Sequence, residues 1–265
     1  MGDMHSLRKL YIMRHAERVD FCFGSWIPTS FDKQDNYIRR NLNMPLSVPK
    51  RKGGPWDFFK DCPLTRMGLH QATLTGEAMK LSGVKFSHVF CSPSLRCLET
   101  CTNVLKASEQ TSLPINVEPG LFEWLGWYVD GMPKWMTLEE MSENGFKVTP
   151  DYKPIISMED MHSRKESSEE YYMRNYLISK TLIEKYSGDI LLVAHAASLD
   201  TCSRQLTGKP PRNEKDLLTL VPKFSYASVA LVEQDSTKKW HIAKPPFPPL
   251  MHLNNISFNW EILLD

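Results

Sequence analysis

The sequence predicts an α/β protein of three layers, a mostly parallel central sheet with helices on both faces. Three observations carry this. Short apolar runs at Leu10–Met13, His88–Cys91 and Asp189–Ala194 have the length and composition of buried strands. Stretches of helical character alternate with them, the order that makes strands parallel and puts helices outside. Two of the runs stop at a histidine, His15 (preceded by Arg14) and His195. In such sheets ligands sit beyond the carboxyl ends of the strands, so both histidines point to one place.

Taken in order, Met1–Ser6, with its second methionine at Met4, reads as an expression remnant, leaving 7–265 as a single domain. Leu10–Met13 is the first strand, closed by polar residues. The segment from Phe21 to Cys62 follows neither the helical nor the strand period; it holds four Pro, seven Lys or Arg and eight aromatics. A stretch this long without elements is functional or disordered, and its aromatic richness argues for an ordered insert. Thr65–Leu81 is helical, with Gly83 as its stop. Strand His88–Cys91 breaks at Ser92-Pro93, and a helix over Ser94–Lys106 follows. Residues 115–118 form a third short strand, and Gly120–Trp135 is rich in aromatics and turns. Ser167–Tyr186 is a helix ended by Ser187-Gly188, Asp189–Ala194 the clearest buried strand, Ser198–Leu206 another helix, and Ser228–Val232 a late strand. Pro245, Pro246, Pro248 and Pro249 make the tail irregular surface chain.

Composition narrows the function. Across 265 residues, 32 Lys+Arg against 31 Asp+Glu leave a net charge of +1, so no basic field advertises nucleic acid or an anionic membrane. No apolar run approaches the ~18–20 residues of a membrane span, and no signal-peptide core follows the N-terminus. Six cysteines are too few for a disulfide scaffold. A soluble, cytoplasmic protein is expected.

Arg14-His15-Ala16-Glu17-Arg18 sets an imidazole between guanidiniums. Charged clusters after strands are commonly solvated turns, but planar guanidinium forks match phosphate oxygens, and they disfavour protonation of His15, leaving it a nucleophile. His195 alone would read as a core histidine; a second histidine after a second strand changes that weighing. Arg96 begins a helix, where anions are favoured. Glu123, between Phe122 and Trp124, has apolar flanks that raise a carboxyl pKa and suit a general acid; Glu17 is the other candidate carboxylate. From Cys91 to Arg96 the spacing is C-x4-R rather than the C-x5-R of thiol phosphatases, and Pro93 removes a loop donor, so that reading is rejected. Cys97 and Cys101 read as core, not as metal ligands. Asn255-Ile256-Ser257 fits a glycosylation pattern that carries no weight here. Within the insert, Trp26 and Phe31 are expected to line a substrate pocket.

In order and spacing, Arg14-His15, Glu17-Arg18, the segment ending at Arg96, the Glu123 segment and His195 resemble the histidine phosphatase (phosphoglycerate-mutase-like) superfamily. Tyr37–Pro45, Cys91–Cys97, Val117–Trp124 and the tail string Phe258-Asn259-Trp260 narrow the resemblance. They are similar to the branch of the ecdysteroid-phosphate phosphatase and the C-terminal phosphatase domain of suppressors of T-cell-receptor signalling. The resemblance implies a phosphoglycerate-mutase-like fold and a homodimer. It also implies a metal-independent phosphomonoesterase without cofactor. His15 would attack phosphorus, Arg14, Arg18, Arg96 and His195 would surround the phosphoryl oxygens, and Glu123 would protonate the leaving group and then activate water. The expected partner is a bulky apolar ester, a steroid (ecdysteroid) phosphate first. The sequence reads nearer the insect branch, and no SH3 or ubiquitin-binding module precedes the domain. A phosphotyrosyl protein is the alternative. A sugar-phosphate mutase suits the aromatic insert less well, and a dead scaffold suits the full residue set less well. One departure is Ala16, where the family commonly has glycine after the first histidine; Ala196 follows the second. Their Cβ atoms narrow the backbone's approach to the phosphate.

Overall fold

Apolar side chains alternate along the strands and so divide the interior into two cores. In the computed structural model, which describes residues 8–251 and 260–264, Tyr11 and Met13 of β1 (Lys9–Arg14) join one core, and Leu10 and Ile12 join the other. The expected remnant at 1–6, the Asn255-Ile256-Ser257 pattern and Phe258-Asn259 lie outside the described residues. The further strands are β2 (His88–Cys91), β3 (Asn116–Val117), β4 (Ile190–Ala194), β5 (Val229–Gln234) and β6 (Trp240–Ala243). They form one six-stranded sheet in the order β3-β2-β4-β1-β5-β6. The pairs β3–β2, β2–β4 and β4–β1 are parallel, while β5 and β6 continue the sheet antiparallel. β4 is buried along its whole length, as a central parallel strand covered on both faces must be.

Helices cover both faces. After the short α1 (Val19–Phe23), α2 (Arg66–Leu81) and α3 (Leu95–Ala107) bring Ala72, Met79, Leu98 and Cys101 to the Tyr11 core. Thr65 starts α2 by accepting a hydrogen bond from the Gly68 N–H at 2.9 Å. Gly83 ends it at φ +68°, a backbone region that costs glycine little. α4 (Leu138–Glu143) adds Met141 to the same core. Opposite lie α5 (Met158–Ser163), α6 (Ser168–Lys185) and α7 (Ser198–Thr201), which bring Met161, Ile178, Leu182 and Leu199; α8 (Glu214–Leu220) follows. A reciprocal Ser167–Glu170 capping box opens α6.

The sequence expectation needs two corrections. The helix expected over Ser198–Leu206 is regular only to Thr201 and continues as turns. There the Ser203 hydroxyl donates to the carbonyls of Leu199 and Asp200 at 2.6 and 3.2 Å, competing with the helical ladder. The late strand runs antiparallel and folds back into β6, which the sequence reading missed. Its connection is built by Asp235, whose carboxylate accepts from the N–H groups of Thr237 and Lys239 at 2.8 and 3.0 Å.

The 21–62 insert is ordered with little regular structure. Trp26, Phe31, Tyr37 and Phe58 cluster, with Phe31 stacked on Phe58 at 5.8 Å between ring centroids. Buried Arg51 ties the insert down by pairing with Asp61 at 3.1 Å and Glu140 at 3.4 Å. The other oxygen of Asp61 accepts from Leu95 N at 2.8 Å and so satisfies the start of α3.

The segment after β1 is held against α2. Glu17 accepts from the Thr65 hydroxyl at 2.7 Å and from Asn43 at 3.0 Å, which commits this carboxylate to structure. At Gly68 a Cβ would stand 2.2 Å from the Glu17 carbonyl oxygen. Gly68→Ala is therefore expected to lower stability by roughly 1–3 kcal/mol, the usual cost of overpacking, and to reduce turnover by displacing the segment that carries His15. Urea denaturation alongside an activity assay checks both.

Candidate active site

The parallel register of β1 and β4 sets Arg14 opposite Ala194. The ladder extends one bond further, with His15 N donating to Ala194 O at 2.9 Å, and Ser92 N reaches Val193 O at 3.0 Å. Three strand ends therefore meet, and the rings of His15 and His195 stand edge to face, 5.5 Å between centroids. Arg96 enters from the first turn of α3, the helix that follows β2.

Hydrogen bonds determine both imidazole tautomers. Nδ1 of His15 lies 2.8 Å from the Ala16 carbonyl oxygen, which only accepts. Nδ1 therefore carries the proton and Nε2 keeps its lone pair. For His195, Arg96 Nη2 is 3.2 Å from Nδ1 and can only donate, so Nδ1 accepts and Nε2–H is directed at the Ser92 hydroxyl, 2.9 Å away. Both rings are held well below the ordinary histidine pKa. Burial is the largest cause and the nearby guanidiniums come second; for His15 the arginines act in the direction expected from the sequence, which did not count burial.

Each guanidinium is anchored differently. Arg14 donates to the Phe224 carbonyl and lies 4.1 Å over the Tyr226 ring; burial draws it down to about 10. Arg18 grips Asp20 with two bonds of 2.6 Å. Fully buried Arg96 reaches Glu123 Oε2 at 3.0 Å and the Tyr128 hydroxyl at 3.3 Å. The apolar setting expected for Glu123 is not what its carboxylate meets. Phe122 turns into the core against Trp135 and His195, and Trp124 stacks edge-on with Trp127, leaving the carboxylate to Arg96 and Tyr128. The backbone of this segment is clamped by Arg174 of α6, which donates to the carbonyls of Gly120, Phe122 and Glu123 at 2.6, 2.9 and 3.2 Å. Glu166 holds Arg174 at 2.5 Å. Ala16 and Ala196, the departures noted above, bury their methyls one in each core.

A cavity of about 470 Å³ opens beside Glu123 and Arg18, walled by Trp26, Ile27, Phe58 and Tyr128. Phe21, Trp56 and Phe59 stand exposed at its rim. Trp26 lines this cavity. Phe31 does not; it packs behind Trp26 and Phe58 and supports them. Tyr128, Phe58 and Asp20 were missed by the sequence reading, although the aromatic density of 21–62 and 120–135 was visible in it. Cys91, Cys97 and Cys101 are buried, and among the described residues no group of three or more His, Cys, Asp or Glu could hold a metal ion. No helix among the described residues is long and apolar enough to cross a membrane.

Comparison with known proteins follows this geometry. The family model described as Histidine phosphatase superfamily (branch 1) matches residues 50–244. An ecdysteroid-phosphate phosphatase of Drosophila melanogaster is 46% identical over 258 residues, covering 97% of this chain and 34% of that protein. The human ubiquitin-associated and SH3 domain-containing protein B is 41% identical over 261 residues, 96% of this chain and 40% of that protein. The chain thus spans well under half the length of these relatives. Among solved structures, the ecdysone phosphate phosphatase of Bombyx mori in complex with tungstate superposes with a TM-score of 0.83 at 34% identity, covering 97% of this chain and 99% of that one.

Neutral, buried His15 and His195 make stability depend on pH. Below about 6.5 the unfolded chain takes up protons that the folded imidazoles refuse. Their contribution is full above that value and declines as pH falls, by up to about 1.4 kcal/mol per unit for each ring. Glu99, which burial pushes up to about 8, works in the opposite direction, so the readout is a difference. Urea denaturation between pH 7.5 and 5 should show a shallower loss of stability for His15→Gln than for the unsubstituted protein.

Proposed function

The chain belongs to branch 1 of the histidine phosphatase superfamily, and on that premise we propose that it hydrolyses a bulky apolar phosphate monoester, a steroid phosphate of the ecdysteroid type. The observation that carries this reading is the aromatic cavity opening directly beside Glu123 and Arg18. Small polyanionic substrates gain little from such walls, whereas a polycyclic alcohol buries its body there. The Drosophila and Bombyx relatives support it by name, and the tungstate held by the Bombyx protein is a tetrahedral oxyanion like phosphate.

His15 Nε2 attacks phosphorus while the P–O bond to the alcohol breaks. The ring becomes cationic as the N–P bond forms, and its Nδ1–H bond to the Ala16 carbonyl strengthens with that charge. Arg14, Arg18 and Arg96 stabilise the phosphoryl oxygens. His195 stays neutral and accepts from Arg96 Nη2 on Nδ1 at 3.2 Å, which helps to aim that guanidinium at the phosphoryl oxygens. Glu123 gives its proton to the departing alcohol oxygen. It then removes one from water, which displaces His15 and releases inorganic phosphate.

A phosphotyrosyl protein is the second reading, favoured by the exposed rim rings Phe21, Trp56 and Phe59, against which a substrate larger than the cavity could rest. Turnover of an ecdysteroid phosphate compared with a phosphotyrosyl peptide separates the two.

Brief exposure to labelled substrate should leave acid-labile, alkali-stable phosphate on the protein and none on His15→Ala. Label persisting in that variant would overturn the assignment. For the cavity, Trp26→Ala should cost roughly 1–3 kcal/mol of binding, the usual value of one large apolar side chain. That cost appears as a raised KM for the steroid ester and a nearly unchanged KM for p-nitrophenyl phosphate. Phe31→Ala should lower the melting temperature more than it changes either KM.

A further inference from the structure

The catalytic carboxyl has two oxygens, and their surroundings differ. Glu123 Oε2 accepts from Arg96 Nη2 at 3.0 Å and from the Tyr128 hydroxyl at 2.7 Å. Arg96 Nη2 gives one N–H to His195 Nδ1 and shares the other between Oε2 and this hydroxyl, 3.3 Å away, so Arg96, Tyr128 and Glu123 close a small ring of hydrogen bonds. An oxygen that already receives two donors cannot carry a proton without expelling one of them. In the acid form the proton therefore belongs on Oε1. Burial, and then the neighbouring Glu123 charge, raise the Tyr128 pKa well above that of an ordinary phenol, so its hydroxyl stays a donor throughout the enzyme's pH range.

Tyr128 also belongs to the cavity. Its ring forms part of the wall and packs on Phe122 at 4.9 Å between centroids, in a turn whose start is clamped by Arg174 and Glu166. One side chain thus touches the proton donor with its polar end and the space for the ester's apolar body with its face. We propose that Tyr128 is a specificity-determining residue with two separable parts: its ring contributes substrate binding, and its hydroxyl directs the transferred proton to Glu123 Oε1. As the ester's P–O bond breaks, the proton passes from Oε1 to the alcohol oxygen, and Oε2, now sharing the carboxylate charge, holds both its donors more tightly. When water later attacks the phosphohistidine, its proton returns to Oε1. An ester whose body leans on the Tyr128 ring thereby steadies the hydroxyl that orients the acid. This inference rests on the reading of Glu123 as the acid and base.

The test uses single-turnover phosphorylation by three esters: a steroid phosphate, glycerol phosphate as a small aliphatic ester, and p-nitrophenyl phosphate, whose leaving group departs without a proton. Tyr128→Phe keeps the ring. It should leave the steroid KM nearly unchanged and slow phosphorylation by both aliphatic esters about tenfold, part of the 10²–10⁴ typical of general acid catalysis, with little effect on p-nitrophenyl phosphate. Tyr128→Ala should show the same leaving-group pattern and, in addition, a raised KM for the steroid ester alone. Melting curves establish that both variants are folded. The inference is overturned if Glu123→Gln slows the aliphatic esters selectively while Tyr128→Phe matches the unsubstituted protein or slows all three esters alike. If Glu123→Gln itself shows no leaving-group dependence, the reading of Glu123 as the acid falls, and this inference falls with it.

Discussion

β1 and β4 pair in parallel with Arg14 opposite Ala194, and the ladder adds one more bond, from His15 N to Ala194 O at 2.9 Å. Every other feature of the site is referred to that alignment. Because side chains alternate across a strand, a slip of one residue would exchange the two cores and turn each strand-end residue to the opposite face. The register is secured by burial on both sides: Tyr11, Met13, Leu191 and Val193 in one core, Leu10, Ile12, Ile190 and Leu192 in the other. No single contact holds the two histidines 5.5 Å apart. They stay there because moving either would expose apolar surface on both faces of the sheet, at about 25 cal/mol per Å².

Onto this frame the protein loads an unfavourable concentration of charge. Arg14, Arg18 and Arg96 have two directly ion-paired carboxylates among the described residues, Asp20 and Glu123, beside two imidazoles that stay neutral. Burying unpaired cations is expensive, so the surplus is divided among anchors of different kinds: a carbonyl and a tyrosine face for Arg14, a bidentate carboxylate for Arg18, and Glu123 with His195 for Arg96. The leftover positive charge makes the site complementary to a phosphoryl dianion. Burial first, and this surplus second, keep Nε2 of His15 free of a proton, so the proposed nucleophile and anion site share one buried, cationic setting.

How far the sequence alone reaches follows from the range of the interactions involved. β2 and β4 were legible because runs of three and five consecutive apolar residues bounded by polar ones have few other fates, and α2 because Thr65 and Gly83 mark its ends locally. That His15, Arg96 and His195 come together was legible because each follows a strand, and topology brings strand ends together. β6 was not, since Trp240–Ala243 is an edge strand only partly buried and its pairing depends on the Asp235 turn. Phe31 and Trp26 lie five residues apart in an insert without period, and nothing local says which ring faces the cavity and which supports it from behind. The surroundings of Glu123 were misread for a related reason. Neighbours in sequence, Phe122 and Trp124, point away from the carboxylate, while Arg96 reaches it from α3 and Tyr128 from across a turn.

These ranges also divide the molecule by function. The proposed phosphoryl site is built from strand ends and the first turn of α3, parts that both cores hold in place. The cavity beside it is built from the insert and the 120–128 turns, and two of its rings, Trp26 and Phe58, also belong to the Tyr11 core. Binding energy from a substrate's apolar body lowers KM, but it raises the chemical rate only if some of it is realised in the transition state. Tyr128 offers a physical route for that, since it stands in the cavity wall and on the acid at once, 2.7 Å from Glu123 Oε2. A loop residue can therefore couple substrate shape to proton transfer, while Arg18 in the same cavity and Arg96, 3.3 Å from the Tyr128 hydroxyl, are placed for the phosphoryl group that every phosphate ester shares.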